Sequence, residues 1–471
     1  MRKRKDWLLF QELLDHFGIR KLYHFTDRSN IASIIKNGGL YSWGECENKG
    51  IHISCPGGSE LSHELDKRDN LQNYVRLSFC KHHPMMYYAM KESRIKDPVI
   101  LEIDPDVLFI NGNIFSDRNA VKNEANKGNT FEDFKKIHFQ TTLQRNVFDI
   151  NEGEQEYYQA EVLVNHHIPL QYILNIDKFK KGSSSTDIPN HNLSLNNLQD
   201  EDKLLIFIIS QSSYTKGEKK INEIAKTRAS VFTDALNLAI QNIITKCSNC
   251  EKSLKSISIG AIGYGDHAYS LYNGKLKYRS STTLNELNEN IFQIENIEKQ
   301  IRTRNGIKLA TLSVPKWFIE QNKGNANLLS ALNKAYRIVE QWIANHPNAE
   351  PPIIIHMSDS GYTNKEHDKV IMSSNILQST FTSKGNSIFV NLLLLPEESE
   401  TILFPSSTRD LKEGVFYETY YLMSSYLSRS LLRKLNEGKN NTAVIEKKAC
   451  IFTSDVFEFN AYLNNVVSLL V

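Results

Sequence analysis

The sequence contains no apolar run approaching ~20 residues, so no membrane span is expected. It is also poor in cysteine, with six in 471 residues, at 46, 55, 80, 247, 250 and 450. Only Cys247-Ser-Asn-Cys250 is close-spaced. One such pair without a second is a weak zinc signal, and a redox motif would follow a strand and open a helix. This pair follows a helical stretch and precedes a strand, so it reads as a helix-end loop with two thiols. Scattered thiols fit a reducing compartment, and a cytoplasmic protein is expected. Gly (22) and Pro (12) are too few for a collagenous or low-complexity chain. Excess charge of either sign is missing too. The 56 Lys and Arg against 54 Asp and Glu leave +2, which excludes a protein that grips nucleic acid by bulk charge. Any nucleic-acid contact must be a local patch. The first five residues are basic, but Asp6 and Glu12 carry charge where a signal peptide would be apolar, and residues 6–17 read as a surface amphipathic helix.

What is present is enough chain for two or three domains. Residues 179–202 are dominated by Ser, Asn and Asp without periodicity and read as a linker between domains at 1–178 and 203–471. The leading part mixes elements. Residues 29–37 have helical spacing, with Ile31, Ile34 and Ile35 on one face, Ser29 as N-cap and Gly38-Gly39 as stop. Residues 75–79, 99–103 and 160–164 read as strands, which together predict an α+β fold. In the trailing part, apolar strands at 204–209, 257–263, 352–357 and 387–394 alternate with helices at about 217–245, 325–344 and 364–377. Continuous apolar strands separated by helices predict an α/β, doubly wound, mostly parallel sheet covered on both faces.

Nine of the fourteen histidines fall in the leading part, at 16, 24, 52, 63, 82, 83, 138, 166 and 167. None forms a helical metal pair with a carboxylate partner, so no metal is expected. Position is more informative. Tyr23-His24-Phe25-Thr26 precedes a helix, and Glu161 stands alone in the apolar strand Ala160-Glu-Val-Leu-Val164. A carboxylate there is costly unless it faces solvent or a cleft.

Four segments carry a resemblance: Leu22-Tyr-His-Phe-Thr-Asp-Arg-Ser-Asn-Ile31, Asn73-Tyr-Val-Arg-Leu-Ser-Phe-Cys-Lys-His-His-Pro-Met-Met86, Phe115-Ser-Asp-Arg-Asn-Ala120 and Tyr158-Gln-Ala-Glu-Val-Leu-Val164. Together they make residues 20–178 resemble the DarT family of NAD-dependent ADP-ribosyltransferases that modify DNA bases. The resemblance implies the ADP-ribosyltransferase fold and NAD as co-substrate. Nicotinamide leaves through an oxocarbenium-like transition state, so a rigidly held carboxylate that meets a ribose hydroxyl and the developing charge suits the reaction. Glu161 matches that family position. By the same carry-over, His24, Phe25 and Thr26 match the dinucleotide-contacting segment, Ser33 and Leu40 match later contacts, and the helix after residue 29 offers its N-terminus to phosphate. The arginine that assists the attacking base is matched by Arg68. Arg76 is the second choice, with an edge-strand salt bridge as its plain structural reading. Arg76, Arg118, Asn119 and Lys122, with Lys81 and His82, are candidate DNA contacts. Residues 1–175 hold 22 basic against 24 acidic side chains, so stacking on aromatics is expected to matter beside charge. The Tyr74–Phe79 segment looks like the guanine-modifying branch of the family. The family further implies a toxin restrained by a macrodomain antitoxin, or a role against phage.

Residues 203–471 resemble a von Willebrand factor A domain. The carriers are Phe207–Lys219, Gly260-Ala-Ile-Gly-Tyr-Gly-Asp266 and Ile354-Ile-His-Met-Ser-Asp-Ser360. Metal-binding members end the first strand in Asp-x-Ser-x-Ser, a hard-oxygen set suited to magnesium. Here those positions are Ser210, Ser212 and Tyr214, and Ala326 stands where a threonine is expected. Only Ser212 and Asp359 persist, which predicts a metal-free domain that binds an unidentified partner or supports the transferase. Two other readings of the whole chain are a non-catalytic nucleotide- or protein-binding module, and ADP-ribosylation of protein.

Overall fold

The structure is a computed structural model that describes residues 3–144, 147, 150–180, 202–212, 218–221, 224–249, 254–303, 306–321, 324–359, 367–395, 399–427 and 446–470. The chain forms two compact units, Met1–His191 and Asn192–Val471. Among the described residues, no helix is long and apolar enough to cross a membrane.

In the first unit, six antiparallel strands make the main sheet, in the order β4-β1-β3-β7-β5-β6. They are β1 (Leu22–Asp27), β3 (Tyr74–Ser78), β4 (Pro98–Ile103), β5 (Ile114–Ser116), β6 (Lys127–Gly128) and β7 (Glu161–Asn165). A small second sheet pairs β2 (Gly39–Tyr41) with β8 (His167–Pro169). The helices are α1 (Trp7–His16), α2 (Ile31–Lys36), α3 (Trp43–Lys49), α4 (Glu60–Arg68) and α5 (Pro84–Lys91), followed by the one-turn α6 (Phe131–Phe134), α7 (Phe139–Thr142) and α8 (Asp177–Lys180). Helix α1 falls within the amphipathic stretch expected at 6–17. It buries Phe10 and Leu14, spaced i,i+4, and Phe10 packs 5.3 Å from Phe115 and 4.9 Å from Phe134 between ring centroids. Burying each such ring stabilises by roughly 2–3 kcal/mol. Phe179, at the expected start of the linker, is buried beneath Arg28, so the first unit runs at least to α8. Residues 181–201 of the expected linker lie outside the described residues.

Strand alternation decides what this sheet presents. Residues opposite one another in a ladder share a face. Ser78 pairs with Glu161, Arg76 with Leu163 and Tyr74 with Asn165. The opposite face carries Val75 and Leu77 against Val164 and Val162, all buried apolar core. A single strand thus sends its apolar residues to the core while Arg76 and Glu161 emerge together on the other side.

The second unit is built on an eight-stranded sheet. Five run parallel at its centre, in the order β12-β9-β17-β20-β22: β9 (Lys203–Ser210), β12 (Ile257–Tyr264), β17 (Ile353–Ser358), β20 (Ile388–Leu394) and β22 (Cys450–Thr453). The edges β13 (Ala268–Ser270), β14 (Thr282–Thr283) and β21 (Ile402–Leu403) are antiparallel. Residues 204–209 of β9 are all fully buried, as a continuous apolar run in a central strand requires. Helices α9 (Arg228–Asn249) and α14 (Val456–Leu470) cover one face. Helices α11 (Leu328–Asn345), α12 (His367–Gln378) and α13 (Val415–Met423) pack on the sheet through β12, β9 and β20, and the short α10 (Leu284–Glu289) sits by β14. The mostly parallel α/β architecture is as expected, with mixed edges.

One expectation is corrected. The helix expected over 217–245 begins only at Arg228, and the preceding residues form the hairpin β10 (Glu218–Ile221) and β11 (Ile224–Thr227). Buried residues of the helix start at Ala229, and the Thr227 hydroxyl accepts the Ser230 N–H at 3.1 Å, so this cap fixes the start. A second hairpin, β15 (Gln293–Thr303) with β16 (Gly306–Lys316), was not expected at all.

Candidate active site

The sheet face that bears Arg76 and Glu161 opens into a cavity of about 370 Å3, within the range of small-molecule sites. Its floor is β1 and β3, and its rim is α2, the α3 region and α4. Five residues expected to contact the dinucleotide, His24, Phe25, Thr26, Ser33 and Leu40, all line it, as do Arg76, Asn119 and Glu161.

Glu161 is the first residue of β7 and only 5% exposed. Its register partners are Ser78 on β3 and Ser116 on β5, so it is held from both sides by the sheet. One carboxylate oxygen accepts Arg76 Nη1 at 2.5 Å and the Ala120 backbone N–H at 3.0 Å. Burial raises the Glu161 pKa, and the Arg76 charge and the Ala120 N–H pull it back in part. Arg76 in turn gives Nη2 to Asp66 of α4. Burial works against its charge, but Glu161 and Asp66 outweigh it and keep the guanidinium firmly protonated. Asp66 completes its own shell by accepting Trp43 Nε1 at 3.0 Å.

Two histidines in this cavity have their tautomers fixed by main-chain partners. His24 Nδ1 lies 2.9 Å from the Arg76 carbonyl oxygen, which can only accept, so Nδ1 carries the proton and Nε2 offers a lone pair. His83 does the reverse. It caps α5, with Nδ1 accepting the Met85 N–H at 3.2 Å, so its proton sits on Nε2. That buried N–H has no partner among the described residues. Burial, reinforced by Arg76, pushes His83 down to about 4, and burial also lowers His24, so both rings are neutral near pH 7.

The other expected contacts are placed differently. Arg68, on the outer side of α4, is not among the cavity-lining residues; it bonds Asp69 at 2.8 Å and the Val121 carbonyl at 3.2 Å. Arg118 is buried outside the cavity, paired with Asp117 at 3.2 Å and Glu156 at 2.5 Å over the Tyr157 ring. Lys122 is half exposed, 3.6 Å from Glu156. Lys81 and His82 lie in the turn between β3 and α5, His82 buried. The phosphate seat expected at the helix after residue 29 is already filled. Asp27 caps that turn, its two oxygens taking the Ser29, Lys96 and Asp97 N–H groups, so a second anion there would meet a carboxylate. Asp66, Trp43 and His83 are site residues that sequence reading missed. Asp66 lies two positions before Arg68, but only the helix phase shows which of the two turns inward.

In the second unit, Ser210, Ser212 and Asp359 are buried at the carboxyl ends of β9 and β17, and Ala326 is buried nearby in sequence to α11. Asp359 receives Arg228 Nη1 at 3.2 Å. Tyr214 and Cys250 lie outside the described residues, while Cys247 is buried in the last turns of α9. No group of three His, Cys, Asp or Glu among the described residues is placed to hold a metal ion.

The first unit is thus a six-stranded antiparallel sheet in which β7 brings one buried glutamate to a cavity lined by His24, Phe25 and Thr26 of β1. Residues 23–187, 165 of the 471, match the family model described as ssDNA thymidine ADP-ribosyltransferase, DarT. This part of the chain is a DarT domain, an NAD-dependent DNA ADP-ribosyltransferase. Among solved structures, Thermus sp. 2.9 DarT in complex with ADP-ribosylated ssDNA is 19% identical over 33% of this chain and 79% of its own, with a TM-score of 0.29. Thermosipho africanus DarTG in complex with ADP-ribose is 14% identical over 81% and 97%, with a TM-score of 0.28. A von Willebrand factor type A protein from Catenulispora acidiphila is 11% identical over 57% of this chain and 42% of its own, with a TM-score of 0.26. No curated protein matches the chain.

Proposed function

We propose that the chain transfers ADP-ribose from NAD to a base of single-stranded DNA in the cavity of its first unit. The observation that carries this reading is Glu161, a buried carboxylate on a rigid central strand, facing a cavity wide enough for a nucleotide. NAD supplies the activated glycosidic bond. The residues present fit it: Glu161 accepts a hydrogen bond from a ribose hydroxyl and opposes positive charge as it develops, the His24 Nε2 lone pair takes a second hydroxyl, and Thr26, Ser33 and Leu40 shape the wall. We assign the assisting role to Arg76 rather than Arg68, because Arg76 touches Glu161 and Arg68 is outside the cavity. Arg76 and Asn119 are then the DNA-facing residues inside the cavity, and Lys122 lies outside it. A base must be unstacked to enter, which favours single strands. In this reading the protein is a cytoplasmic toxin checked by a macrodomain antitoxin or used against phage, and the second unit is a metal-free domain that recruits a partner.

Incubating the full chain with NAD and short single strands, each lacking one base, and weighing the products tests the proposal. One ADP-ribose added to every strand except that lacking a particular base names the acceptor, thymine as in the family description or guanine as the Tyr74–Phe79 segment suggests. No addition to any strand overturns the reading, and label found only on polypeptide redirects it to protein modification.

A further inference from the structure

We propose that Asp66 is a positioning residue of the transfer reaction, which holds the Arg76 guanidinium in the one orientation that meets Glu161. The inference rests on the transfer reading above and extends it to a residue on a different element. Its basis is a hydrogen-bonded relay that crosses the cavity, Trp43 to Asp66 to Arg76 to Glu161, with Asp66 and Glu161 both nearly inaccessible.

The chemistry of each link narrows its role. A guanidinium on a long side chain has several free torsions and is fixed only when more than one of its nitrogens is held. Here Nη1 goes to Glu161 and Nη2 to Asp66, so the plane of Arg76 is set by two carboxylates from two elements. Asp66 is itself fixed, because its second oxygen accepts Trp43 Nε1 from α3. Helix α4 holds its own geometry independently, with the Ser59 hydroxyl capping Ser62 N–H at 3.2 Å. Asp66 is therefore not needed to start the helix, and its carboxylate serves the cavity. Two buried carboxylates sharing one cation also leave a net negative charge beside the position where positive charge would develop, which a single Arg–Glu pair would not.

The arrangement makes a prediction about pH. The charged and titratable groups around Glu161 are Arg76 on β3, Asp66 on α4 and Cys80 after β3, and beyond Arg76 lie His24 on β1 and His83 at the start of α5. The Cys80 thiol is pushed up to about 12 by burial and stays protonated, and the two histidines are neutral. Asp66 is thus the negative charge that disfavours ionisation of Glu161. Removing it leaves Arg76 wholly to Glu161, so Glu161 ionises at lower pH.

The test is Asp66→Asn in the full chain, with NAD, an oligonucleotide the wild type modifies, and a pH series. We expect kcat to fall about tenfold or more, as loss of a charged hydrogen bond does, with KM for NAD within about threefold and the acid limb of the kcat profile moved to lower pH. A purely structural Asp66 would lower the melting temperature and leave that limb where it is. Either an unmoved limb or a kcat within about twofold of wild type overturns the proposal. Should Asp66→Asn fail to fold, Trp43→Phe, which replaces the indole with a benzene ring and so removes its N–H to Asp66, serves instead: a loss of about threefold in kcat is expected, and an unchanged kcat overturns the proposal. Failure of the wild type to modify any strand defeats the transfer reading itself, and that outcome is read before either variant is made.

Discussion

Both units bury polar and charged groups in the middle of a sheet, and they use them in opposite ways. In the first, Glu161, Arg76, Asp66, His24 and His83 converge on open space. In the second, the groups close on one another. Tyr264 meets His356 Nε2 at 2.9 Å, His356 Nδ1 meets Asn391 Oδ1 at 2.8 Å, Asn391 donates to Ser424 at 2.8 Å, and Arg228 covers Asp359. A buried network that satisfies itself specifies a core, whereas one that faces a cavity is ready to act on a ligand. Burial and a displaced pKa alone would not separate the two: His83 and His356 are both pushed down to about 4.

The comparison can be broken most sharply at the two acids. Glu161→Gln should reduce base modification by about a thousandfold or more, as loss of a group acting at the reacting centre does, while Asp359→Asn should leave kcat within about twofold wherever the protein remains folded. Mass spectrometry of the oligonucleotide reads both. Equal losses would mean that the second unit shares in the chemistry.

Next come the arginines. Arg76→Lys replaces a fork that reaches two carboxylates with a single ammonium and should lower kcat by about a hundredfold. Arg68→Lys keeps a cation near Asp69 and should change it by no more than about threefold. The reverse order would restore Arg68 to the assisting role.

Acid should weaken both units through their buried histidines. Each has a folded pKa near 4, below the unfolded value of about 6.5, so the unfolded chain binds protons first. Stability is therefore full above pH 6.5 and falls as the pH drops toward 4, by up to roughly 3 kcal/mol for each histidine. Urea unfolding at pH 7.5 and 4.5 measures it, and His356→Gln should flatten the dependence of the second unit only.

Smaller effects sharpen the picture. Ser59→Ala removes the cap of α4 and should cost about 1 kcal/mol of the first unit's stability, seen as a lower melting temperature. Excess EDTA should leave the melting of the second unit unmoved, since Arg228 already neutralises Asp359. A clear drop would reveal a bound cation.

Much of this was legible in the residues. A lone glutamate in the otherwise apolar Ala160–Val164 announced a strand with one polar exit, and the apolar run at 204–209 announced a central parallel strand. The five positions expected to contact the dinucleotide fall together on one cavity because they lie on one strand and the helix and strand that follow it. What was not legible depends on long-range placement. Whether Asp66 or Arg68 turns inward is a matter of helix phase against a sheet far away in sequence. Asp27 caps its turn locally through the Ser29 N–H, but the Lys96 and Asp97 N–H groups that fill its other oxygen lie some seventy residues on. Ile221 and Ile224 fit a helix as well as a hairpin, and only the Thr227 cap decides.

The paired tautomers of His24 and His83 give the cavity a handedness. Neither ring can move its proton to the other nitrogen without breaking a tie to the Arg76 carbonyl or releasing the start of α5. A substrate edge that brings a hydroxyl to the first ring and a carbonyl to the second is matched at both. Turned end for end, the same edge sets the carbonyl lone pairs against the His24 lone pair, and only the hydroxyl oxygen, accepting from His83, is still matched. The arrangement therefore sorts a ligand by the direction in which it enters, a discrimination that size and net charge alone would not provide.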